Sequence, residues 1–77
     1  PYIANLVELC RNFADEVKIA TNCDKLDLIM SHTLINAGLT QIEMSYHDAS
    51  VTDNIAGFLR ENNHRVHTIL RWIVPLP

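Results

Sequence analysis

Residues 53–73 read DNIAGFLRENNHRVHTILRWI, and the expected fold of the chain turns on how that stretch is read. Ile55, Leu59, Asn62, Val66, Ile69 and Ile73 follow one another at steps of four, three, four, three and four. Residues three and four apart stack along one side of an α-helix, so the spacing predicts a single long helix over 53–73. Phe58 and Leu70 widen the stripe to the breadth of a core-facing helix, while Arg60, His64, His67 and Arg71 form a polar row. Asn62 is the one polar residue within the stripe. A lone buried Asn in a helical seam fixes register and partner number; otherwise it marks a bend or bonds a neighbouring backbone group.

Ser50, Val51, Thr52 and Asp53 supply a start signal for that helix, with Asp53 suited to its positive end. Further upstream, Thr40-Gln41-Ile42-Glu43 has the form of a capping box, and Leu39 with Met44 the form of a hydrophobic staple. These predict a short helix over 41–47. Gly38 suits the left-handed residue that closes a preceding helix over 24–37. That helix carries Leu26, Leu28, Ile29, Met30, Leu34, Ile35 and Ala37, too many apolar positions for one stripe, which places it centrally. Ile3, Leu6, Cys10, Phe13, Val17 and Ala20 repeat the three-four spacing and predict a first helix over 3–20, ended by the turn-forming run Thr21 to Asp24. Read this way, no stretch alternates for long enough to be a strand. The expected fold is therefore all-α: one four-helix domain across 1–77, with antiparallel or orthogonal packing and loops of a few residues.

Composition narrows the function. Seventy-seven residues make one small domain, and 48% hydrophobic against 19% charged residues argues against disorder. So high an apolar share in so small a body predicts apolar surface left for another chain. Net charge is −3, and no Lys/Arg cluster stands ready for a phosphate backbone. No apolar run reaches the length of a membrane span. Pro1 at one end and the apolar tail Trp72 to Pro77 at the other predict a processed product or a piece of a longer protein. On a first helix running to residue 20, Cys10 and Cys23 lie too far apart to bridge, which favours reduced thiols and an intracellular setting, cytoplasmic or nuclear.

Candidate chemistry is thin. Leu34, Gly38, Leu39, Thr40 and Met44 resemble the turn of a helix-turn-helix regulator, which implies a recognition helix over 41–47. That segment carries Glu43 and Asp48 and no Lys or Arg, so nucleic acid is the disfavoured partner. His64 and His67 could share one helical face, but two ligands are fewer than zinc takes from protein. No glycine-rich phosphate loop and no nucleophile-base pair is evident, so neither a cofactor nor an enzymatic activity is expected. The expectation is a protein-protein interaction or oligomerisation module that binds a partner helix or a copy of itself. Its contact surface is placed on the first helix and on Arg65, Val66, Ile69, Leu70, Arg71, Trp72, Ile73 and Val74, the arginines orienting an acidic partner.

Overall fold

A computed structural model of the chain describes residues 2–62 and 64–72, with Trp72 described by its backbone alone. It is an α/β structure, not the expected all-α helical bundle. The elements in chain order are α1 (Tyr2–Arg11), β1 (Lys18–Thr21), α2 (Leu28–Ala37), β2 (Gln41–Tyr46), a short 3₁₀ turn (Ala49–Val51), α3 (Thr52–Asn62) and β3 (His67–Trp72). The three strands form a parallel sheet in the order β1-β2-β3. Both crossovers step the same way across the sheet. Right-handed crossovers then place α2 and α3 on one face, where α1 packs on α2 and α2 on α3.

Each departure from the expected helices has a local cause. The helix expected over 53–73 is in fact α3 and β3, joined by a turn in which the N–H groups of Arg65 and Val66 both donate to the Asn62 carbonyl at 2.9 and 3.3 Å. A step of four is even, so it fits the two-residue period of a strand as well as it fits a helix. The step of three from Val66 to Ile69 misled, since along an extended backbone those residues point to opposite sides.

The helix expected over 41–47 is the central strand β2. Ile42 and Met44 are fully buried while Gln41, Glu43 and Ser45 alternate with them. The Thr40 hydroxyl does not cap a helix; it accepts from Val17 N at 2.7 Å and donates to Val17 O at 3.1 Å. Thr40 N and Gln41 N also reach Val17 O, and His67 N reaches Thr40 O at 2.9 Å. Thr40 therefore ties the amino ends of all three strands together.

The helix expected over 3–20 stops at Arg11, whose guanidinium turns back to the carbonyls of Ala14 and Asp15 at 3.0 and 2.6 Å. Val17 and Ile19, read as helical, lie just before and within β1 and pack against the core. The helix expected over 24–37 starts later, at Leu28, behind the cap Asp27, whose carboxylate accepts from Met30 N at 2.8 Å. It ends as expected on Gly38, left-handed at φ 111°.

One core lies between the helices and the sheet. Phe58, Leu34, Ile42, Met44, Val7 and Val51 are its largest fully buried apolar side chains. Burying each contributes about 1.5–3 kcal/mol before conformational entropy is set against it. Asn62 closes this core at the end of α3, fully buried, and neither of its side-chain polar atoms has a hydrogen-bond partner among the described residues.

Candidate docking surface

Parallel strands that pair in register present their side chains to the same face. The helices therefore cover Ile19, Ile42, Met44 and Thr68, while Lys18, Ala20, Gln41, Glu43, Ser45, His67, Ile69 and Arg71 share the other face. Among the described residues no helix covers that second face. It is polar, and Arg71 stands 3.9 Å from the half-buried Glu43. Parallel sheets are normally covered on both sides, so a bare polar face is unusual.

The apolar surplus expected from composition lies mainly on α1. Ala4 and Val7 point inward and are buried. Tyr2, Leu6, Leu9 and Phe13 form an outward stripe at steps of four, three and four, with exposures of 77%, 38%, 54% and 85%. Phe13 lies in the turn that follows α1, where its N–H donates to Cys10 O at 3.0 Å. Ile3 flanks the stripe and lines a groove of about 360 Å³ with Ile19, Ala20, Leu26, Met30 and Leu34, so this end of α1 lies near β1 and α2. Beyond that edge no strand pairs with β1 among the described residues, which leaves a ready template for a further strand.

The contact residues expected from sequence separate in space. Val66 is buried in the core and cannot meet a partner. Arg65 is exposed in the turn before β3. Ile69 and Arg71 lie on the polar sheet face, and Leu70 lies half-exposed on the opposite one, so these residues form no common stripe. Trp72 is the last residue of β3; its side chain, Ile73 and Val74 lie outside the described residues. The helix-turn-helix resemblance fares no better in geometry, because the segment implied as a recognition helix is the buried middle strand. His64 and His67 fall in a turn and a strand, not on one helical face. Cys10, expected within the core, is exposed on α1, and Cys23 is buried; both are free thiols.

A second cluster gathers at the carboxyl ends of the strands. His47 stands between Asp24 at 3.3 Å and Asp48 at 3.4 Å. Asn54 of α3 donates to Cys23 O at 2.8 Å, which steadies the left-handed Cys23 at φ 69°. Burial pushes the Cys23 thiol up from its ordinary value, and a thiol kept protonated is a poor nucleophile. Hydrogen bonds from Ser50 hold the exposed Asp48 carboxyl below its usual range, which fits its role as the cap of the 3₁₀ turn. These contacts fasten loops to one another. Among the described residues no three His, Cys, Asp or Glu side chains converge as metal ligands, and no helix is long and apolar enough to cross a membrane.

No protein-family model matches this sequence, and neither does any curated protein or solved structure at a significant level.

Proposed function

We propose that this chain is a protein-association module that docks through the apolar stripe of α1 and the unpaired outer edge of β1. The observation that carries this reading is the stripe itself, Tyr2, Leu6, Leu9 and Phe13 with Ile3 beside it. At those exposures two aromatic and three aliphatic side chains leave roughly 500 Å² of apolar surface, a patch of the size that marks interaction sites. An unpaired strand edge beside it adds main-chain donors and acceptors that a neighbouring strand can satisfy. Supporting it from composition, the chain has more apolar residues than the core absorbs.

The test is sedimentation velocity from micromolar to millimolar concentration, on the wild-type chain and on Leu6→Asp. The wild type associates as concentration rises. Leu6→Asp keeps the wild-type circular dichroism, matches the wild-type melting temperature at a concentration where both chains are monomeric, and does not associate as concentration rises. A Leu6→Asp protein that assembles like the wild type removes α1 from the docking surface.

A further inference from the structure

We infer that the groove between α1, β1 and α2 binds a medium-chain aliphatic carboxylate, with its chain on the apolar floor and its head group at Lys25. This site is independent of the association surface. Its floor is made by Ile3 of α1, Ile19 of β1, Leu26 of the loop before α2, and Met30 and Leu34 of α2. Leu26 and Leu34 are buried and Ile19 and Met30 half-buried, so the floor belongs to the folded core and is formed before any ligand arrives. At 360 Å³ the groove is at the small end of ligand pockets, which run from about 300 to 1,000 Å³. Counting roughly 30 Å³ for each water-sized group, it takes about twelve heavy atoms, the number in a ten-carbon acid.

The polar groups at the mouth are Thr21, Asn22, Asp24 and Lys25, and their hydrogen bonds decide the charge of the head group. Thr21 Oγ1 accepts from Cys23 N at 3.1 Å, and Asn22 Oδ1 accepts from Asp24 N at 3.2 Å. The Asp24 carboxylate stands 3.3 Å from His47. With these acceptors engaged, the mouth offers a ligand the Thr21 hydroxyl, the Asn22 amide N–H groups and the Lys25 ammonium, all of them donors. No carboxylate stands within ion-pair distance of Lys25 among the described residues. Donors around an unpaired cation match a carboxylate head, which only accepts. An ammonium head would meet Lys25 as a like charge.

Titration of the isotope-labelled chain with decanoate, followed by NMR, tests the site. The expected result is a saturable shift of Ile3, Ile19, Leu26, Met30 and Leu34, with affinity falling about twofold to fourfold for each methylene removed in octanoate. Lys25→Ala weakens decanoate by about twofold to fivefold, as an exposed ion pair predicts, and decylamine binds the wild type more weakly than decanoate does. Ile3→Asp, at a half-exposed position, keeps the circular dichroism of the wild type and weakens decanoate by more than tenfold. Leu6→Asp binds decanoate as the wild type does. Shifts that never saturate, equal affinity for decylamine, or unchanged binding by Lys25→Ala each overturn the site. Loss of binding in Leu6→Asp overturns it too, because the acid then lies on the outer stripe of α1. A peptide ending in a free leucine carboxylate that displaces decanoate at a lower concentration overturns the choice of occupant. None of these outcomes bears on the association reading, which sedimentation of the wild-type chain decides.

Discussion

Helices α1 and α3 are close in length, ten and eleven residues, and both are amphipathic, yet they use their apolar residues in opposite ways. α3 turns Ile55, Phe58 and Asn62 fully inward, packs Leu59 against the core, and shows solvent Asp53, Arg60 and Glu61. α1 buries only the small Ala4 and Val7 and presents its aromatic and leucine residues outward. The difference follows from where each helix sits. α3 belongs to the crossover between β2 and β3, so strands lie beneath both sides of its stripe. α1 precedes β1 and packs on α2, so only its inner side meets a neighbouring element. Similar amphipathic chemistry therefore yields a core in one helix and an exposed apolar surface in the other. Position in the topology decides which.

The largest expected effect lies on the α3 side of this comparison. Phe58→Ala removes a fully buried ring and lowers the unfolding free energy by about 3–5 kcal/mol in urea titration, whereas Leu6→Ala, at a concentration where the chain is monomeric, changes it by less than about 1 kcal/mol. Equal costs at the two sites break the contrast. Next comes the knot on which both helices depend for a floor. Thr40→Val keeps the shape of the side chain but leaves Val17 N without its acceptor, and costs about 1–3 kcal/mol by the same titration.

A pair of glycines gives the third comparison. Gly38→Ala forces a side chain into a left-handed residue whose Cβ would press on Arg11 of α1, and lowers stability by about 1–2 kcal/mol. Gly57→Ala, on the α3 side, places its Cβ at an ordinary 3.6 Å from Leu28 and raises stability by about 0.5–1 kcal/mol through helix propensity. Thermal melts in parallel report both signs.

The smallest effect separates the thiols. Cys10 on exposed α1 reacts readily with a disulfide reagent, and Cys23 reacts slowly until the chain unfolds. Because burial raises the folded thiol above its unfolded value, the folded chain holds its proton at a pH where the unfolded chain releases it. Stability from Cys23 is thus whole below the ordinary thiol range, near pH 8.5, and declines as pH rises through it. Cys23→Ala abolishes that alkaline slope, which denaturation at graded pH measures.

How far the sequence carried these features depends on which spacings are ambiguous. Ile55, Phe58 and Asn62 were legible as an inward helical stripe, and Gly38 as a left-handed helix end, because each rests on a residue type with a single good use there. Strand β2 was legible too, in the alternation of Gln41, Ile42, Glu43, Met44, Ser45 and Tyr46, but the Thr40 and Glu43 pair mimicked a capping box and drew the reading toward a helix. Val66 to Ile73 could not be divided by spacing alone, since even steps satisfy both periods; the pair Asn62-Asn63 was the better sign that the helix ends there. The surplus of apolar residues was read correctly as surface, and its place on α1 was half seen. Its removal from Leu70 and Val66 needed the sheet. A parallel pairing joins residues too far apart for any local pattern to announce it.

That long-range pairing has a consequence for how the chain folds. Lys18 pairs with Gln41 and Gln41 with His67, so every ladder joins segments about two dozen residues apart and no hairpin offers a local start. Strand pairing must therefore wait for a crossover helix to form and turn back, and loop-closure entropy slows both events to a similar degree. Thr40, which meets Val17 on one side and His67 on the other, lies where the two closures converge. A folding nucleus built there would bring both crossovers under one barrier, and slowed refolding of Thr40→Val would be its mark.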